Sequence, residues 1–164
     1  MKSIENESRL EVNGLEIALR TADNRDIGFV YELMRTGLED YFEQTPEGWK
    51  RSKFKERYSP ERIRILEHNS MPIGFFDLEE SKASAYVHNL HLTRDYQGRG
   101  IGSRILRLIE KRAKLGGLKC IKAKVFKNNL RILSIVLSRF GYRIKKDLEK
   151  ENSFLVVKDL EEKR

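Results

Sequence analysis

Hydrophobic positions change period several times along this chain, and each change marks an element. Residues 9–12 and 15–20 alternate apolar and polar side chains around Asn13-Gly14, the strongest two-residue turn signal, and predict a hairpin. After Asp23 and Asp26, the apolar residues Ile27, Val30, Tyr31, Met34 and Leu38 recur at helical spacing. They predict a capped first helix ending near Gly37. Thr45-Pro46-Glu47 combines an N-cap, a first-turn proline and an acid suited to the helix dipole. It predicts a second helix that stops before Ser59-Pro60. From Arg62 the period falls to two. Residues 62–68 and 73–78 predict strands joined by a turn at 69–72, and Glu79-Glu80-Ser81-Lys82 predicts a second turn into a strand over 83–92.

A helical stripe of Ile101, Ile105, Leu108, Ile109 and Leu115 follows, closed by Gly116-Gly117. Residues 118–125 then alternate as a strand. A further helix, capped by Asn128 or Asn129, runs to Phe140 and is ended by Gly141. Strands over 142–146 and 153–157 complete the pattern. With the opening hairpin counted as its first β, the order is β-α-α-β-β-β-α-β-α-β-β. This is an α/β (α+β) class with a mixed, mostly antiparallel central sheet flanked by helices. One domain over residues 1–164 is expected, with the polar residues 1–8 frayed. The strand–helix–strand step around residue 101 should be parallel and right-handed.

Composition narrows the chemistry. No apolar run approaches the ~20 residues that cross a bilayer, and the first residues lack a signal-peptide core, so the expectation is a cytoplasmic protein with no membrane partner. Cys120 is the single cysteine and the histidines are His68, His88 and His91, so neither a disulfide nor a dedicated metal site is expected. Cys120 also lacks a histidine nearby in sequence, and reads as a small core residue rather than a nucleophile. The net charge of +8 and pI near 9.6 favour an anionic partner without naming it.

Three glycines in Gln97-Gly98-Arg99-Gly100-Ile101-Gly102, between a strand and a helix, leave backbone N–H groups uncovered at a positive helix end. That suits an anion such as a pyrophosphate. The phosphate loop of nucleotide hydrolases is excluded because Gly102 is followed by Ser103-Arg104, with no lysine. The dinucleotide fingerprint is excluded because Ile105 stands where a further glycine would fall, and because the loop follows several antiparallel strands.

The segment resembles the GNAT superfamily of acyl-CoA-dependent N-acyltransferases. Its signature [RQ]-x-x-G-x-[GA] is matched by Gln97, Gly100 and Gly102, with Arg94 in the lead-in where a proline is frequent. Val125-Phe126-Lys127-Asn128-Asn129 and Phe140-Gly141-Tyr142 also resemble family patterns, and the element order agrees from about Leu15 to Leu160. The resemblance implies acetyl-CoA as cosubstrate and an amine, small molecule or protein, as acceptor; a homodimer stays open. It implies that the amides of Gln97, Gly98, Arg99, Gly100, Ile101, Gly102 and Ser103 hold the pyrophosphate of coenzyme A. The backbone of Leu90, His91 and Leu92 would pair with the pantetheine arm where two strands splay apart. Asn129 is a further cofactor contact, and Arg99 and Arg104 are placed to meet phosphates.

The implied reaction is direct attack of a primary amine on the thioester, which needs orientation, a donor near the carbonyl oxygen and a proton acceptor. His88 and Tyr86, on one strand face, are the candidate bases; His91 faces the other way, and Glu79 and Glu80 read as turn acids. The family's usual acid is a tyrosine four residues before the Gly-aromatic pair. Here that position is Leu137, in a helix about one residue longer than the common pattern. Ser134, Ser138 and Asn129 are substitutes, but capping and surface roles describe them better. Tyr31, Arg35, Tyr41, Phe42 and Trp49 are candidate acceptor walls, with core packing favoured for Tyr31 and Trp49. Two competing functions remain: a non-catalytic acyl-CoA-binding regulatory domain, motivated by Leu137, and a basic nucleic-acid-binding protein, which lacks a recognisable binding motif.

Overall fold

A computed structural model describes residues 8–45 and 48–161. The fraying expected for residues 1–7 and the helix start expected at Pro46 and Glu47 lie outside the described residues. Ser8 itself is docked: its carbonyl accepts the Leu19 N–H at 2.7 Å.

The strands are β1 (Arg9–Val12), β2 (Leu15–Thr21), β3 (Ile63–His68), β4 (Met71–Glu80), β5 (Ser84–Leu92), β6 (Cys120–Phe126), β7 (Arg143–Leu148) and β8 (Ser153–Asp159). They form one eight-stranded sheet in the order β1-β2-β3-β4-β5-β6-β8-β7. Among the described residues, only β5 and β6 run parallel. Helix α3 (Ile101–Leu115) is their crossover, as the sequence order requires.

Successive residues of a strand face opposite sides of a sheet, so the central strands must be apolar on both. Ile65 and Phe75 face one side, where α1 (Ile27–Phe42) and α2 (Arg51–Arg57) pack through Val30 and Phe54. Leu66 and Phe76 face the other, against Ile101, Ile105, Leu108 and Ile109 of α3. Val136 and Phe140, which follow α4 (Leu130–Ser134), join that second cluster. Each fully buried side chain of this size contributes roughly 1.5–3 kcal/mol.

Several boundaries differ from expectation for identifiable reasons. Helix α1 does not stop near Gly37 but runs through it to Phe42. Gly37 is small for another reason: a Cβ there would lie 2.9 Å from Nδ1 of His91 on β5. Thr45 does not open a helix. Its N–H and hydroxyl both donate to the Phe42 carbonyl, closing α1, and α2 starts only at Arg51. Glu79 and Glu80 are strand residues of β4 rather than turn acids, as are Met71 and Pro72. The first turn therefore contracts to Asn69 and Ser70, both at positive φ. Cys120, expected in the core, is only partly buried at the start of β6.

The final helix solves a spacing problem. After α4 the chain continues as a π turn over Ile135–Arg139, with the Phe140 N–H donating to the Ile135 carbonyl at 3.3 Å. A π turn takes up one extra residue per turn. It accommodates the longer interval between Asn129 and Gly141 without shifting Val136 or Phe140 out of the core.

Candidate active site

The glycine loop is held at both ends. Gln97 donates through Nε2 to the Leu92 carbonyl at 3.0 Å, tying the loop to the end of β5. Asn13 of the opening hairpin donates through Nδ2 to the Arg99 carbonyl at 2.8 Å. Gly100 sits at φ 82°, a left-handed conformation that side-chain-bearing residues avoid, and a Cβ there would be 3.2 Å from Asn13 Nδ2. Among the described residues, the backbone N–H groups from Gly98 to Ser103 have no acceptor; the first bond of this turn runs from Arg104 N–H to the Gly100 carbonyl. Helix α3 also has no side-chain cap. A helix start with free donors and a positive dipole end is a site for a multiply charged anion. The donor set is one residue shorter than expected, because the Gln97 N–H is already bonded to the Arg94 carbonyl at 3.2 Å.

Beside this loop the sheet opens. β5 and β6 pair from Ser84↔Cys120 to Val87↔Ala123 and no further, although β5 continues to Leu92 and β6 to Phe126. The cause is a β-bulge. Against β4, the register passes from Leu78↔Val87 to Asp77↔Asn89, so His88 is an extra residue on β5. A bulge bends its strand and re-aims side chains. It also shifts the alternation, so that Val87, Leu90 and Leu92 all pack toward the α3 side. The expected splay is therefore present, with Leu90, His91 and Leu92 along the separated edge.

On the other face, the bulge assembles polar groups. His88 Nε2 lies 2.6 Å from Glu79 Oε2, and its ring centroid is 4.5 Å from that of Tyr86. Hydrogen bonding from His88 holds the Glu79 carboxyl below its ordinary range. Burial pushes the Tyr86 phenol up, which keeps it protonated. Arg62 reaches Asp77 through Nε at 3.0 Å and Nη2 at 3.1 Å, and Glu79 through Nη1 at 3.4 Å. Asp77 is buried, and its desolvation raises the carboxyl despite Arg62. Tyr86 and His88 thus meet as expected, while Glu79, Arg62 and Asp77 were missed. Nothing in the sequence marks a bulge, and only it brings these side chains to one point.

His91 lies on this same face of the sheet, not on the opposite one expected, because the extra residue at His88 shifts the alternation of β5. It stands apart from the cluster. Its ring packs between Gly37 and Phe75, 5.6 Å from the Phe75 ring, with Nε2 at 3.3 Å from Asn89 Oδ1. Desolvation alone lowers its pKa to about 4. Asn129 accepts the Ile132 N–H through Oδ1 as the cap of α4. The Ser138 hydroxyl donates to the Ser134 carbonyl, a local bond that leaves no acid in this helix.

A cavity of about 90 Å³ opens between α1, α2 and the β3–β4 pair, with Met34, Phe42, Trp49, Phe54 and Phe75 in its wall. Trp49 and Tyr31 pack against the core cluster as expected, and Trp49 also lines this cavity, as does Phe42. Arg35 is instead paired with Glu32 and Glu39, and Tyr41 is stacked 5.5 Å from Phe126 at the end of β6.

Comparison with known proteins agrees with the fold. A family model described as the acetyltransferase (GNAT) family matches residues 30–142. Among solved structures, a GNAT-family acetyltransferase from Listeria monocytogenes is 15% identical with a TM-score of 0.69, the match covering 93% of this chain and 99% of that one. The PaiA N-acetyltransferase of Thermoplasma acidophilum in complex with coenzyme A is 19% identical with a TM-score of 0.66, over 87% of this chain and 98% of that one. Arabidopsis thaliana Naa50, in complex with a bisubstrate analogue, is 17% identical with a TM-score of 0.63, over 87% and 97%. No helix of the described residues is long and apolar enough to cross a membrane.

Proposed function

The chain belongs to the acetyltransferase (GNAT) family, and from that premise we propose that it moves the acetyl group of acetyl-CoA to a primary amine by direct attack on the thioester. The observation that carries this reading is the row of unpaired N–H groups from Gly98 to Ser103 at the mouth of the β5–β6 gap. These donors suit a pyrophosphate, and the separated edge over residues 88–92 suits an extended chain bearing amides. Arg99 and Arg104 are exposed near the same loop and add positive charge. The PaiA and Naa50 structures, which hold coenzyme A or an analogue containing it, support coenzyme A as the ligand. When bound, the thioester supplies the activated acetyl group.

The chain's own residues then have distinct tasks. A neutral His88 that donates its Nε2–H to Glu79 leaves the Nδ1 lone pair free to take a proton. Of the two candidate bases, His88 fits that role, because burial disfavours the Tyr86 phenolate. Tyr86 is a donor beside it. The amine nitrogen forms its bond to the acetyl carbon as the carbon–sulfur bond breaks. The ammonium proton goes to His88 Nδ1, and the departing thiolate takes a proton from solvent, since the fourth helix has Leu137 where an acid would stand. Orientation between loop, gap and bulge carries most of the rate.

A second reading, a non-catalytic acyl-CoA-binding domain, is favoured by the π turn and the missing tyrosine alone. Titration with coenzyme A together with thiol release from acetyl-CoA across an amine panel separates the two. Binding with turnover supports transfer, binding with no turnover on any amine supports the second reading, and no binding removes both.

A further inference from the structure

Resting on the acetyl-transfer reading, we propose that the acceptor is a free α-amino acid with an aliphatic side chain of leucine or methionine size. The cavity between α1, α2 and β3–β4 gives the first reason. Its volume of about 90 Å³ is far below the roughly 300–1,000 Å³ that encloses a whole small ligand. It is also smaller than the ~150 Å³ that admits a benzene ring. It therefore has room for one aliphatic side chain, against Met34, Phe54 and Phe75.

Charge gives the second reason. Lys50 and Arg57 line the same cavity, against Asp77 as its carboxylate. Asp77 is committed to Arg62 through two contacts near 3 Å, so the field offered to a ligand is positive. Local sequence produces this arrangement. Arg57 follows the buried Phe54 by three residues on α2, and Lys50 precedes the helix as its extended N-cap residue, so both reach the cavity that Phe54 lines. A polyamine or a lysine side chain would bring further positive charge to these groups, whereas a carboxylate complements them.

The third reason is the position of the base. From the cavity, Asp77 leads to Arg62, Arg62 to Glu79 at 3.4 Å, and Glu79 to His88 at 2.6 Å. The apolar socket, the cations and the proton acceptor thus occupy one face of the sheet. An amine, a carboxylate and an aliphatic side chain that diverge from a single carbon match these three.

The test uses the full chain with acetyl-CoA, reading thiol release for L-leucine, L-methionine, L-phenylalanine, glycine, leucinamide, isoamylamine and spermidine. Calorimetry measures L-leucine and leucinamide binding to the coenzyme A complex. Leucine or methionine should exceed phenylalanine, glycine, leucinamide and isoamylamine by about tenfold or more in kcat/KM, the scale of one lost charge-assisted contact. The double variant Lys50→Glu, Arg57→Glu, at two exposed positions, should raise KM for leucine and should not raise it for the cationic leucinamide. Preference for spermidine or leucinamide, or an indifferent double variant, overturns the inference and leaves acetyl transfer standing. Leucine binding in preference to leucinamide, with no thiol release on any amine, upholds the acceptor site and overturns the transfer reading instead.

Discussion

His91 makes stability depend on pH in a window of its own. In the folded chain its ring is enclosed by Gly37 and Phe75, and desolvation lowers its pKa from 6.5 to about 4. In the unfolded chain the same ring takes a proton near its ordinary value. Between those two values the unfolded state binds a proton that the native state refuses. Stability is therefore fully present above pH 6.5 and is lost as pH falls toward 4. Displacement of that size corresponds to about 3 kcal/mol between pH 7 and pH 4. For a chain of this length that is roughly 6–12 °C in Tm. Urea unfolding of the native chain and of His91→Gln, each at pH 7, 5.5 and 4, isolates the effect, because His68, His88 and every carboxylate remain in both. The variant should start less stable and lose about 3 kcal/mol less over the window. Parallel losses in the two proteins would refute the assignment of His91 as a desolvated, neutral ring.

Other perturbations follow from the same contacts. Gly100→Ala forces a side chain into φ 82° against Asn13, at a cost of roughly 1–2 kcal/mol; a raised KM for acetyl-CoA and a lower Tm are expected. Asn13→Gly, which keeps the left-handed turn, removes the clasp on the Arg99 carbonyl and should weaken coenzyme A binding by about 1 kcal/mol in a calorimetric titration while leaving the sheet intact. Arg62→Ala strands the buried Asp77 carboxylate, and denaturant unfolding should report a loss of about 3–5 kcal/mol; Arg62→Ala combined with Asp77→Asn should recover part of it. Glu79→Gln breaks an exposed pair, so Tm should barely move. Its kcat should nevertheless fall, because His88 loses the carboxylate that fixes its tautomer.

The sequence is legible where chemistry and geometry share one residue pattern. Asn13-Gly14 adopts left-handed φ at both positions, and the Asp23–Asp26 capping box forms as expected. Gly98 and Gly100 turn the chain into α3 with their amides exposed. Gly37 was misread because a helix-ending glycine and a close-contact glycine look the same in one dimension. Only the position of His91, more than fifty residues later, separates them. Thr45 was misread because the residue types that cap a helix start can equally bond back to the end of the preceding one. The polar cluster around His88 was half legible. Tyr86 and His88 share a face at a spacing of two, but Glu79 joins them only because β4 extends beyond its apolar run and β5 bulges at His88. The cavity cations were visible in Lys50 and Arg57, yet only the fold turns them toward one apolar socket.

The central claim, that the glycine loop and the β5–β6 gap together hold acetyl-CoA for transfer at His88, is tested most directly by a crystal structure with acetyl-CoA bound. The account predicts pyrophosphate oxygens within hydrogen-bond distance of the amides between Gly98 and Ser103, pantetheine between β5 and β6, and the thioester carbon on the His88 side of the bulge. A pyrophosphate bound away from those amides, or a pantetheine arm lying outside the gap, would contradict it.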